Sequence, residues 1–349
     1  MVEALRAATA GRRGESDRHI QSLVEAVVPK ALRARVTATL KEARDTFASE
    51  YRAASEHFVR VQKDFETLLR SDAAGRRDFV NRYFYDLSPS TDDKPFFFSY
   101  YRFDRLLDTT GKESWDEAYH PDFPVGHMVL LSSMFQIVLL GGLLIFWPLM
   151  GKKLQGATGS EKLRVFTYFA GLGIGFMFVE ICLMQRFVLF LGHPAYSLCV
   201  VLAAILLFSG LGAMFTARIR KTDARLRGRL VLLVCGTIIA TILAVSFVLD
   251  ALMGMPFPLR VLATVLLCAP VGFVMGMPFP LGIRILGEHA PSLVPWAWAI
   301  NGFLSVFSGL AAIVLAMAGG FTAVLVTGAV IYAVGLYQLP FLKRLLRPA

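Results

Sequence analysis

The chain has 349 residues, 55% of them hydrophobic, with 28 Phe and a mean hydropathy of +0.56, a composition that excludes a soluble domain of ordinary make-up and points to a membrane protein. The formal net charge of +10 is unevenly placed: residues 127–349 hold 16 Lys/Arg against 5 Asp/Glu, whereas residues 1–126 hold 20 against 21. Because the basic excess falls in short loops between apolar stretches, loop orientation explains it and no nucleic-acid partner is expected.

Residues 1–17 are small, basic and polar, have no apolar run of the signal-peptide kind, and read as a flexible tail. Region 18–72 is amphipathic: from Leu32 through Val36, Leu40, Phe47, Tyr51, Phe58 and Phe65 to Leu68 the apolar positions recur at helical spacing after Pro29. Such a stripe needs a partner surface. Packing on its own chain's membrane domain or on a neighbouring helix is favoured over a coiled coil, because the stripe mixes Ala and aromatics where a heptad seam takes Leu and Ile. Residues 73–126, rich in aromatics, Asp and Pro and ending in "KESWDEAYHPDFP", read as an ordered, irregular connector.

The membrane domain is expected over 127–342, followed by a basic tail, 343–349. Seven apolar segments near 127–150, 165–191, 195–217, 230–250, 259–283, 295–318 and 321–342 are each long enough for a bilayer core that needs about 20 helical residues. The expected fold class is therefore all-α, a polytopic membrane helix bundle of about seven transmembrane helices. Loops 151–164 and 218–229 carry four and six Lys/Arg, and the tail carries Lys343, Arg344 and Arg347, all on one side of such a bundle. The positive-inside rule makes that side cytoplasmic and puts the N-terminal region outside.

Within the spans, "MGMPFP" occurs at 253–258 and again at 275–280. Paired prolines begin or break helices, so two helix-end devices are the favoured reading over a broken helix around a transport cavity. Asn301, Ser305, Ser308 and Ala312 share one face, Ser209 and Ala213 form a small-xxx-small pair, and the cluster "GLGIGF" at 171–176 has no strand context, so all three read as helix-packing surfaces. Cys182, Cys199, Cys235 and Cys268 lie in apolar spans without metal-ligand spacing, so no metal site is expected.

The candidate intramembrane polar site comprises Glu180, Gln185, Arg186 and Asn301. A carboxylate in a span costs roughly 2.5–3.5 kcal/mol on insertion scales, so Glu180 is expected to face the bundle, on the side it shares with Gly173. Arg186 lies about 240° round the helix from Glu180 and is a poor partner for it. Gln136, Asn301, Ser305 or Arg284 from other spans are the candidate partners. A packing role and a cation or proton site both stay open for Glu180.

The strings "YDLSPSTDDKPFFFSYYRF" (85–103), "FVEICLMQRFVLFLGHPAYSLCVVLAAILLFSGLGA" (178–213), "GMPFPLGIRI" (276–285) and "PWAWAINGFLSVFSG" (295–309) resemble the C-terminal membrane portion of bacterial spermidine synthase-like integral membrane proteins, in consistent order over roughly two thirds of the chain. The resemblance implies a polyamine aminopropyltransferase-like Rossmann domain joined to membrane spans, a nucleotide-type ligand such as decarboxylated S-adenosylmethionine, a diamine acceptor, and the bacterial inner membrane as location. The glycine-rich strand-to-helix loop that such a core requires is not found in this sequence, so no cofactor is expected. Asp92 and Asp93 of "TDDKPFFF" are the candidate motif residues; they could bind an amine, but capping or connector charges are the favoured role.

Three function classes follow. The favoured one is a noncatalytic membrane module that works with a separate Rossmann-type domain as partner. The alternative is a small transporter of a cationic metabolite with Glu180 in the path. A complete enzyme working through 73–126 ranks last, since it has no nameable nucleophile or cofactor loop.

Overall fold

The computed structural model describes residues 11–83, 86–96, 98–99, 101–102, 125–143, 159–219 and 224–345. The chain divides into two compact units, Met1–Ser88 with Tyr100–Val125, and Pro89–Ser99 with Gly126–Ala349. No strand occurs among the described residues.

In the first unit α1 (Arg13–Val27) and α2 (Arg33–Arg70) form a hairpin around Pro29, and α3 (Ala73–Arg82) follows. Ile20 and Val24 of α1 pack against Val28, Val36 and Leu40, so the start of the amphipathic stripe finds its partner inside the chain. Helix α1 begins at Arg13, within the stretch expected to be a tail, because Arg44 of α2 is buried against Asp17 and Ser16 and needs them ordered. Helix α3 occupies the start of the expected connector, capped by Asp72, whose carboxylate accepts from the Gly75 amide at 2.7 Å. The acidic "KESWDEAYHPDFP" lies outside the described residues.

The second unit contains α4 (Val125–Gly141), α5 (Gly159–Leu191), α6 (Pro194–Phe215), α7 (Ala224–Leu252), α8 (Phe257–Met275), α9 (Pro278–His289), α10 (Val294–Tyr337) and α11 (Leu339–Leu345). Among the described residues five stretches are long and apolar enough to cross a membrane, Gly159–Leu191, Pro194–Arg218, Arg225–Val245, Phe257–His289 and Pro291–Leu342, rather than the seven expected. Two causes account for the difference. The expected first span is represented by α4, a shorter apolar helix of which the chain is described only to residue 143. The expected sixth and seventh spans follow one another in a single run of 52 residues, parted only at the non-helical Gly320.

That run is folded back on itself. Gly320 has φ 82° and ψ 168°, a conformation closed to most L side chains, and the contacts on either side of it return to the same turns of α5. Asn301 and Ser305 lie over Gly173, whereas Gly328 and Tyr332 lie over Gly175. The glycine cluster thus admits both arms of α10: a Cβ at Gly171 would meet the backbone of Gly335, and one at Gly173 would meet Asn301. Close approach of this kind supplies packing where lipid offers no hydrophobic drive between helices.

The repeated hexapeptide brackets α8. Pro256 stands as its N-cap, and the second copy breaks the chain at Gly276–Met277 before Pro278 opens α9. Two buried tyrosines serve this break, Tyr168 donating to the Pro278 carbonyl and Tyr332 to the Met275 carbonyl at 2.8 Å. In an apolar interior both the hydroxyls and the interrupted backbone need such partners. Helix α6 crosses α8 through Gly212, Gly272 and Gly276, with Ser209 against Gly276.

Candidate intramembrane polar site

The loop bearing "TDDKPFFF" is built as a tight turn. Thr91 and Lys94 exchange backbone bonds of 3.3 and 2.9 Å, which puts Asp92 and Asp93 at the tip. Asp92 is exposed, while Asp93 turns onto the membrane helices. Its backbone carbonyl accepts from the Phe321 amide at 2.8 Å. Its Oδ1 accepts from the Thr322 amide at 3.0 Å, from the Thr322 hydroxyl at 2.6 Å, and from Arg186 Nη2 in an ion pair. Arg186 Nη2 also donates to the Thr322 hydroxyl at 2.9 Å. Gly320 belongs to the same device, since a Cβ there would run into Asp93 Oδ2.

Two further contacts hold the loop. The Phe96 ring lies on Phe321 with centroids 5.5 Å apart, and Ser99 Oγ sits 3.2 Å from Nε2 of the buried His127. Burial pushes the Asp93 carboxyl up, but the Thr322 hydroxyl, Arg186 and the Thr322 amide outweigh it and hold the group below the ordinary carboxylate range. The Arg186 side chain is only 8% exposed, and its Nη1 is buried without a hydrogen bond among the described residues.

Glu180 lies six residues before Arg186 on α5 and is 5% exposed. Its Oε1 is buried without a hydrogen bond among the described residues. None of its four candidate partners reaches it. Asn301 Nδ2 donates to the Phe169 carbonyl at 3.2 Å, Arg284 donates to the Thr216 and Ile219 carbonyls at 3.3 and 2.8 Å, Ser305 lies at Gly173, and Gln136 is exposed on α4. Gln185 is exposed and borders a shallow cavity of about 300 Å³ with Val188, Pro194 and Leu198. The four site candidates are therefore not brought together: Arg186 joins Asp93, Asn301 joins backbone, Gln185 turns outward, and Glu180 stands alone.

Sequence reasoning missed Thr322 and the amide of Phe321. A signal was present, since Gly319-Gly320 between two apolar runs marks a reversal and a hydroxyl follows at once. It also missed two arginine caps: Arg260 Nη1 donates to the Phe190 carbonyl at 2.7 Å at the end of α5, as Arg284 does beyond the end of α6. Among the described residues no group of His, Cys, Asp or Glu could hold a metal ion.

Comparison with protein-family models, with curated proteins and with solved structures finds no match to the chain. The fold and the site define a helical, multi-pass membrane protein, whose apolar helices suit a lipid bilayer.

Proposed function

We propose that the chain is the membrane module of a spermidine synthase-like system, itself without the nucleotide-binding catalytic core and acting with a separate Rossmann-type aminopropyltransferase-like domain. It sits in the bacterial inner membrane and crosses it seven times, counting α4 once and α10 twice. Loops 151–164 and 218–229 face the cytoplasm.

The observation that carries this reading is how Asp93 is used. An acid that binds an amine substrate must present free carboxylate oxygens; here Oδ1 already has three donors, and Oδ2 fills the place that a Cβ at residue 320 would take. The motif that carries the family resemblance thus works as a fastener. The glycine cluster is likewise committed to helix packing. Incubating the purified chain with putrescine and decarboxylated S-adenosylmethionine is expected to yield no spermidine. Spermidine formed by this chain alone would overturn the reading.

A second reading, carriage of a cationic metabolite past Glu180, is supported by one observation, the Glu180 Oε1 buried without a hydrogen bond among the described residues. Its measurement is substrate-dependent flux in proteoliposomes, compared between the native chain and Glu180→Gln.

A further inference from the structure

Glu180 is buried in the bundle, and the polar side chains of its own helix and of the elements packed on it are committed elsewhere. On its own helix, Cys182 donates to the Phe321 carbonyl at 3.7 Å and Arg186 is paired with Asp93. From the elements packed on α5, Tyr332 of α10 donates to the Met275 carbonyl, Arg260 of α8 to Phe190, and Arg284 of α9 to Thr216 and Ile219. Cys268 of α8 is buried, and Cys199 of α6 is exposed.

Helical register puts Glu180 on the side of α5 that meets the first arm of α10. Gly173 on that side lies against Asn301 and Ser305, Met177 reaches Gly309, and the face of α10 continues through the buried Ser308, Ala312 and Ala316. A metal ion or an ammonium group needs several oxygen ligands, whereas α10 brings no carboxylate to this face and its Ser308 hydroxyl already donates to the Ser305 carbonyl. An ionised carboxylate left alone in such surroundings is far too costly to persist, and the group takes its neutral form instead.

From the buried carboxyl, without a hydrogen bond among the described residues, and its place on the face of α5 that meets the first arm of α10, we infer that Glu180 is a proton-binding site within the membrane bundle. It is the proton, rather than a cation of larger size, that fills the single-carboxyl site. This inference rests on the second reading above, carriage past Glu180, and names the proton as the cation that the carboxyl takes.

Infrared spectroscopy of the full chain in an ester-free detergent at neutral pH tests this. The expected result is a protonated-carboxyl C=O stretch that moves to lower frequency in D₂O, shifts in Glu180→Asp and is absent from Glu180→Gln, with helical circular dichroism confirming that each variant is folded. Should Glu180→Gln fail to fold, the shift in Glu180→Asp makes the assignment alone. Absence of the stretch from the native chain, or its persistence unchanged in both variants, overturns the inference. The stretch is read without any flux, so the two readings fail separately: a stretch with no flux upholds the proton site, and flux with no stretch overturns it.

Discussion

Asp93 gathers an amide, a hydroxyl and a guanidinium on one carboxylate oxygen, and its removal leaves Arg186 as a buried cation with no counter-charge. Breaking a fully buried pair from one side costs about 3–5 kcal/mol. Asp93 is 36% exposed, so water screens part of that loss, and Asp93→Asn is expected to destabilise by about 1–3 kcal/mol in thermal unfolding. Arg186→Gln should cost a similar amount. The double variant should cost less than the two together, since the second change removes a charge already orphaned. Strict additivity would show that the pair is uncoupled. The pH dependence has a definite sign. The folded carboxyl titrates below its unfolded value of about 3.9, so the clamp's contribution is complete above that value and is lost as pH falls through the folded pKa. The native chain's advantage over Asp93→Asn should therefore be flat around neutrality and shrink only in acid below about pH 4. Asp17 in the first unit, lowered chiefly by its bond to Arg44, adds a loss of the same sign.

Helix α6 shows how the same residue type can matter or not two positions apart. A Cβ at Gly212 would overlap the backbone carbonyl of Phe273 on α8, whereas one at Gly210 meets nothing within 4 Å. Backbone cannot rotate away as a side chain can, so Gly212→Ala should force the helices apart and destabilise by about 1–3 kcal/mol. Gly210→Ala should be neutral or slightly stabilising, given alanine's better helix propensity. Equal unfolding temperatures for the two variants in detergent would show that the crossing is looser than described. The packing half of this architecture was legible in the sequence. The 171–176 glycines, Asn301 and the two "MGMPFP" copies act as helix-packing and helix-end devices, because small residues at helical spacing and paired prolines carry their local geometry with them. The polar half was not. The bond between Asp93 and Arg186 joins residues 93 positions apart, and no local pattern specifies which loop folds onto which helix end. The clamp residue Thr322 and the caps Arg260 and Arg284 were hidden for the same reason.

Across the whole bundle, charge and packing agree on which end is which. Arg164 at the start of α5 donates to Gln338 and lies 4.4 Å over the Phe341 ring, and Arg227 at the start of α7 lies 4.6 Å over the Tyr337 ring. Those contacts gather the beginnings of α5 and α7 and the end of α10 at one end. Arg260 against Phe190 and the Asp93 clamp on Thr322 and Arg186 mark the other. Only the reversal at Gly320 allows this. Five straight crossings would put Gln338 at the end opposite Arg164, whereas six lengths from residue 159 onward bring them together. Lys162 and Arg164 at the start of α5 and Arg225, Arg227 and Arg229 at the start of α7 lie at the Arg164 end, which the proposed orientation faces to the cytoplasm. With the four native cysteines replaced by alanine, cysteine at Gly254, an exposed glycine between α7 and α8, should react with a membrane-impermeant thiol reagent in intact cells. Cysteine at Thr222 should react only after the membrane is opened. Reversed labelling would invert the orientation while leaving the bundle intact. Labelling of both positions from outside would mean that residues 222 and 254 do not lie on opposite sides of a membrane, and the arrangement of crossings itself would fall.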